Sequence, residues 1–401
     1  MSTIRPTLHT LFPIFCSNSA IPACILALCD RFEDAPFETL YWSPAVAPEV
    51  RRPYHRTPLP HSLARAWYRF GLPETGLRAM LERKLLANLR EGDVAYLWPA
   101  CSMGVFRELH RRGHTIIYER VNSHRRNSMR VLDEAYRRLG LPTGHRITVA
   151  DADEESEKLE LCDYAFSPSP YVRDSLLAAG VPESKLLDTS FGWDPCQFHV
   201  SPDQSKHTKE PIFLFVANGT VRKGLGQLLT YWAAAAVRGR LRIVGPIERS
   251  LADAYASELA RPEVEHLPYR DQLADLYSEA DVFVLASFEE GSPLVTYLAL
   301  ASGLPCLVST AAAGGVVEDG VHGYVRDPYD EVGWVAAIRE LADDADLRIR
   351  LGEAAREQSE AYTWDRVAER RQAQIERVFG ADSGNRTPTR NGFAPRKASP
   401  S

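Results

Sequence analysis

Apolar positions fall into short continuous runs, each followed by a longer stretch with apolar residues three and four apart. Continuous runs are the mark of strands buried on both faces, and the longer period marks amphipathic helices. In the first half this pattern predicts strands over 7–15, 37–42, 94–98, 115–121 and 164–167. Helices are predicted over 22–31, most of 60–89, 127–139, and from the SPSP turn to Gly180. Residues 194–211 (DPCQFHVSPDQSKHTKEP) then break the rhythm with polar residues and no period. After them the alternation restarts, with strands over 212–217, 241–245, 264–267, 281–286 and 306–309. The intervening helices fall over 225–237, 250–259, 272–279 and 293–301.

Repeated strand–helix units require parallel sheets covered by helices on both faces. The fold class expected is therefore α/β, two Rossmann-like domains facing each other across a cleft. The divisions are an N-terminal Rossmann-like domain over 1–198, a linker over 199–210, and a C-terminal Rossmann-like domain over 211–360. A closing helix over 361–380 and an unstructured Ser/Pro/Arg-rich tail over 381–401 complete the chain. A length of 401 residues accommodates two domains of ordinary size.

Composition adds little until it is resolved along the chain. Hydrophobic content of 45% and charged content of 25% are those of a globular protein, and the net charge of -6 speaks only to solubility. Between Arg51 and Arg146, however, nineteen Arg/Lys face eight Asp/Glu. Two readings stand: solvated helix faces, or a surface that meets anionic lipid or a phosphate-bearing acceptor. Seven cysteines are scattered without a C-x-x-C pair or metal spacing, which fits reduced thiols and a cytoplasmic setting. No apolar run reaches the roughly 20 residues of a membrane span, and the N-terminal stretch is a poor signal peptide. Any membrane contact is expected to be peripheral, at the inner face. No nucleic-acid partner is expected.

Three loops at strand C-termini carry the candidate chemistry. In 285–305 (LASFEEGSPLVTYLALASGLP) an acidic loop with Glu289, Glu290 and Gly291 opens a helix. Ser292 reads as its N-cap and Pro293 as its first residue, leaving the amides of Leu294 and Val295 free for a diphosphate. In 217–224 (ANGTVRKG), Gly219 permits close backbone approach beside the cations Arg222 and Lys223. Arg grips phosphate with two hydrogen bonds. In 118–126 (YERVNSHRR), Glu119, Arg120, Asn122 and His124 cluster at the end of a strand. Metal ligands are not expected: Asp151 and Asp153 have a D-x-D spacing but lie in an acidic helical run.

At this point the stretches SFEEGSPLVTYLALASGLPCLVST, EDGVHGYVRDPYD and FVANGTVRKGLGQLL resemble the donor domain of family 4 glycosyltransferases. The segment CDYAFSPSPYVRDSLLAAGVPESKLLDTSFGWDPCQF resembles their interdomain approach. The likeness covers roughly 160–380 and is vague over the first 110 residues. It implies the GT-B architecture and a retaining transferase that needs no cofactor or metal. The donor is implied to be a nucleoside-diphosphate sugar, and the acceptor a saccharide, a lipid-linked or other hydroxyl compound in glycan, glycolipid or cell-envelope polysaccharide synthesis. The resemblance places Arg222 and Lys223 on the donor diphosphate, Glu290 on the donor sugar, and His124 near the reacting centre. Glu119, Asn122, Gly219, Gly291, Ser292, Leu294 and Val295 complete the expected binding set.

Two positions depart from the family pattern. The second glutamate of its donor loop, which holds the ribose hydroxyls, is Leu298 here. The Gly-Gly loop after the first strand is replaced by Phe15-Cys16-Ser17-Asn18-Ser19. Leu298 keeps open a second reading, a non-catalytic relative that binds nucleotide sugar or glycan. A nucleotide-sugar epimerase is a third, disfavoured for want of extra carboxylates and histidines.

Overall fold

The computed structural model describes residues 5–198, 210–270 and 273–382. Two parallel sheets result. The first contains β1 (Thr7–Leu11), β2 (Glu38–Trp42), β3 (His55–Arg56), β4 (Val94–Leu97), β5 (Thr115–Glu119), β6 (Tyr164–Ser167) and β7 (Leu186–Asp188), in the order β3-β2-β1-β4-β5-β6-β7. The second contains β8 (Ile212–Val216), β9 (Arg240–Val244), β10 (Val264–Leu267), β11 (Val282–Leu285), β12 (Cys306–Ser309) and β13 (Gly323–Arg326), in the order β10-β9-β8-β11-β12-β13. Every strand pairing is parallel. The apolar runs explain this: β1, β4, β5, β11 and β12 are buried along their whole length, as helices on both faces demand.

Strand order reverses between β1 and β4 in one sheet and between β8 and β11 in the other. Ligands of open α/β sheets bind outside the strand carboxyl ends at such switch points. The loops after β8 and β11 are those that hold Arg222–Lys223 and Glu289–Glu290.

The two domains are joined twice. Trp193, before the expected linker, exchanges backbone hydrogen bonds with the second crossing: its amide donates to Tyr362 O at 3.0 Å, and Trp364 N donates to its carbonyl at 2.9 Å. The linker residues 199–209 lie outside the described residues, as does the expected tail from 383 onward. The final helix, Trp364–Asp382, returns to the first domain. There Phe379 stacks on Phe37 with centroids 5.2 Å apart, and Arg371 pairs with Glu119.

Several boundaries differ from the sequence expectation for local reasons. The strand predicted over 7–15 stops at Leu11, two residues before Pro13, which has no N–H to donate. The helical stretch 60–89 is two helices, His61–Arg69 and Glu74–Asn88, parted by Gly71 at φ 63° and Pro73. The helix expected over 250–259 is interrupted at Tyr255. The acidic run of 151–163 forms the helix Val149–Leu161 with a Thr148–Asp151 capping box, but it is more than a solvated face, because Glu155 is buried against Arg120.

Candidate functional site

The two switch-point loops of the second domain are tied to each other before any side chain is considered: Phe288 N donates to Arg222 O at 2.9 Å. Gly224 makes this approach possible. Its φ is +69°, and a Cβ there would sit 1.9 Å from Ala286 O. The helix Leu225–Ala235 begins immediately after it.

From this base four charges converge. Arg222 Nε donates to Glu289 Oε2 at 2.7 Å, and Arg222 Nη2 lies 3.6 Å from Glu290 Oε2. Lys223 Nζ lies 2.5 Å from Glu290 Oε1, which also accepts from Ser287 Oγ at 2.8 Å. Burial opposes the Glu290 charge, but Lys223 and Arg222 outweigh it and hold the carboxyl below its ordinary range. Two cations and two carboxylates thus compensate one another at the end of β8 and β11.

This cluster abuts the first domain. Glu289, 1% exposed, accepts from Ser123 N at 3.0 Å and Ser123 Oγ at 2.9 Å. Ser169 Oγ donates to Gly291 O at 2.5 Å, and Tyr171 OH donates to Phe288 O at 3.0 Å. Gly291 is required by proximity: a Cβ would lie 1.7 Å from Val121 O. The segment from Glu289 to Leu294 runs between two cavities. One, of about 800 Å3, is walled by Asn18, Asp30, Arg52, Trp193, Leu294 and Leu298. The other, of about 610 Å3, is walled by Ala100, Arg120, Asn122, Glu155, Arg222 and Glu289. Ala100, in the loop after β4, holds a φ of 73°, an uncommon conformation for a residue with a Cβ.

Of the residues expected from sequence, Arg222, Lys223, Glu290 and Gly291 come together, and Asn122 shares the second cavity with Arg222. Others are placed differently. Ser292 does not cap the following helix. That helix runs Leu294–Ala301 with Pro293 at the N-cap position, and Ser292 Oγ is engaged with Tyr297 OH at 2.5 Å. The first turn still leaves the Leu294 and Val295 amides without intrahelical acceptors. Leu294 lines the larger cavity. Gly219 serves packing inside its own domain, since a Cβ would lie 2.5 Å from Leu225 Cδ2.

His124 is buried and caps the helix Arg125–Leu139: its Nδ1 accepts from Arg126 N at 3.2 Å, and its Nε2 faces Ser156 Oγ at 3.2 Å. Burial pushes its pKa below the ordinary imidazole value. Glu119 is fully buried and committed to Arg371 and Tyr96. Neither side chain is in the wall of either of these two cavities, and both are engaged with partners inside the first domain or on the final helix.

Sequence reasoning placed Glu289 in the loop but not in the site. The adjacent Glu pair was the available signal, because two carboxylates facing two cations use both. Ser123, Ser169 and Tyr171 carried no signal, since only domain packing brings them to the acidic loop. Among the described residues no group of three or more His, Cys, Asp or Glu side chains is arranged to hold a metal ion. All seven cysteines are free thiols, and only Cys196 is exposed.

Residues 210–344, which make up most of the second domain, match the family model described as glycosyl transferases group 1. A D-inositol 3-phosphate glycosyltransferase of Corynebacterium kroppenstedtii is 31% identical over 168 residues, which is 41% of this chain and 33% of that protein. A sulfoquinovosyl transferase of Arabidopsis thaliana is 38% identical over 100 residues, 23% of this chain and 19% of that protein. The aligned part thus spans a third or less of these curated relatives. Among solved structures, a sucrose-phosphate synthase from Thermosynechococcus elongatus superposes with a TM-score of 0.72 at 19% identity, covering 94% of this chain and 100% of that one. Anabaena HepE in complex with UDP and glucose gives a TM-score of 0.66 at 14% identity, covering 94% and 100%. These likenesses establish the fold as GT-B.

Proposed function

We propose that the protein is a glycosyltransferase that moves a sugar from a nucleoside-diphosphate donor to a hydroxyl acceptor with retention of configuration. The observation that carries this reading is the convergence of Arg222, Lys223 and Glu290 at the β8/β11 switch point, beside the opening of the helix Leu294–Ala301.

The diphosphate takes over Arg222 and Lys223 from the two carboxylates. Negative charge grows on the leaving diphosphate as the glycosidic bond breaks. Two fixed cations and the amides of Leu294 and Val295 are aimed at that charge, so a metal is not required for it. Glu290, released from Lys223, accepts hydrogen bonds from the sugar hydroxyls. The smaller cavity, with Asn122, Ser123 and Arg222 in its wall, receives the acceptor. The larger one receives the nucleoside, against Leu294 and Leu298. Contact between Gly291 and Val121 excludes water from the reacting centre when the domains close. Buried free thiols favour work in the reducing cytoplasm. Glycan, glycolipid or cell-envelope polysaccharide synthesis is the matching process.

The test is a thermal-shift screen against nucleoside diphosphates and their sugars, followed by a transfer and hydrolysis assay with the donor that stabilises. Ligand at ~100 times its dissociation constant adds roughly 2.7 kcal/mol. Arg222→Ala and Lys223→Ala are expected to abolish both the shift and turnover. Turnover that survives the pair of substitutions would remove this reading. A second reading, binding without transfer, draws on Leu298 and on the internal neutralisation of both cations. Stabilisation by a nucleotide sugar with no turnover across the panel supports it.

A further inference from the structure

The first domain carries an exposed apolar patch that the proposed reaction does not use. Phe70 is 76% exposed, Leu63 54%, Ile14 45%, Leu72 44% and Phe15 42%. Two segments build it. One is the helix His61–Arg69 with the turn after it, and the other is the loop that follows β1. They meet where the Phe15 and Tyr68 rings pack edge to face at 6.3 Å between centroids. Trp67 stands half-buried on the same helix, its indole N–H donating to Pro73 O at 3.2 Å. An aromatic ring with one wet and one apolar end is characteristic of a water–hydrocarbon boundary.

The segment that carries most of this patch is basic, with single carboxylates only at its bounds, Glu49 and Glu74, the latter close to Tyr68. From Val50 to Pro73 the chain holds Arg51, Arg52, Arg56, Arg65 and Arg69 and no Asp or Glu. Several exposed arginines elsewhere on the first domain lean on carboxylates, as Arg107 does on Glu157, Arg112 on Glu108 and Arg138 on Glu134. Arg52 reaches Asp30. Among the described residues Arg51, Arg56 and Arg69 have no carboxylate partner, and Arg56 spends its guanidinium on the carbonyls of Pro53 and His55. Exposed apolar side chains on a segment whose arginines are largely uncompensated complement a surface that is apolar below and anionic above.

We propose that this face of the first domain seats on an anionic bilayer, with Leu63, Phe70 and Leu72 entering the headgroup boundary and Arg51, Arg56 and Arg69 meeting lipid phosphates. The patch borders the cleft, because the loop carrying Ile14 and Phe15 continues to Asn18 in the wall of the larger cavity. Resting on the transferase reading, this placement makes a lipid-borne hydroxyl compound the matching class of acceptor. No membrane-spanning element is involved: among the described residues no helix is long and apolar enough to cross a bilayer.

The experiment is co-sedimentation of the full chain with vesicles of neutral phosphatidylcholine, and with vesicles in which about a third of the lipid is phosphatidylserine, at low and high salt. Binding is expected on the anionic vesicles and is expected to weaken with salt. Arg56→Gln/Arg69→Gln should cost about fivefold in partitioning per arginine removed. Leu63→Ser/Phe70→Ser should cost about tenfold or more. Both variants should keep the cooperative thermal unfolding of the ligand-free parent, which shows that they fold. Equal partition onto both vesicle types, no partition onto either, or variants that bind like the parent would overturn the proposal. So would a concentration-dependent dimer that Phe70→Ser abolishes, since a second copy would then be the occupant. The vesicle readout needs no donor or turnover, so it fails or succeeds independently of the transferase assay.

Discussion

Arg371 and Glu119 lie 252 residues apart in sequence and are both 0% exposed. Arg371 Nη1 meets Glu119 Oε2 at 2.7 Å and Nη2 meets Oε1 at 3.1 Å, while Tyr96 OH and Ser190 O accept from the same guanidinium at 2.7 and 3.1 Å. Tyr96 also donates to Glu119. This pair holds the helix Trp364–Asp382, which follows the second domain, onto the first.

Arg371→Met removes the cation and keeps most of the volume. It leaves a carboxylate in an apolar site with one hydroxyl for company. Breaking a buried pair in this way costs about 3–5 kcal/mol near neutral pH. The cost must depend on pH. Burial pushes the Glu119 carboxyl above its ordinary range, and Arg371 pulls against that shift. Without Arg371 the folded pKa rises further. A group with a raised folded pKa contributes fully below its unfolded value, near ~4.3, and loses that contribution as pH rises through the folded value. The deficit of the variant should therefore shrink as pH falls from about 7 to about 5.

Urea unfolding of parent, Arg371→Met, Glu119→Gln and the double variant at both pH values measures this. A coupling of at least about 2 kcal/mol is expected at the higher pH, because the double variant no longer buries a lone charge. A single-variant loss under about 1 kcal/mol, or a loss that does not change with pH, would refute the reasoning.

Three further outcomes are expected. Leu298→Glu places a carboxylate in the wall of the larger cavity and should tighten nucleoside-diphosphate binding by about 1–2 kcal/mol through ribose hydroxyls, measured by calorimetry; unchanged affinity would put the ribose elsewhere. Gly291→Ala drives a Cβ to 1.7 Å from Val121 O, so the domains must part; small-angle scattering should show a larger radius of gyration, transfer should be lost, and an unchanged radius would count against closure at this contact. Burial lowers the His55 pKa to about 4, so the unfolded chain takes up a proton that the folded chain refuses. Stability is then complete above about pH 6.5 and falls as pH drops from there towards about 4. His55→Gln should flatten the decline in a pH series of urea midpoints, and an identical slope would show that another group is responsible.

What the chain determines by itself is local. Runs of apolar residues place β1, β4, β5, β11 and β12, because a strand covered on both faces admits little else. Strand–helix alternation makes the sheets parallel, and parallel sheets gather their loops at one edge. That reasoning was enough to put Arg222, Lys223 and Glu290 near one another without knowing a single distance. Glu119 and His124 had the same warrant, a polar residue at a strand end, yet the tertiary structure spends them on a buried ion pair and a helix cap. The difference lies in partners far along the chain. Arg371 sits on a helix whose pattern shows only amphipathicity, and Ser123 meets Glu289 across 166 residues. Side-chain type limits what a residue can do. Which of those roles it performs is decided by desolvation and by the partner that packing supplies, and both exist only once the two domains have closed on each other.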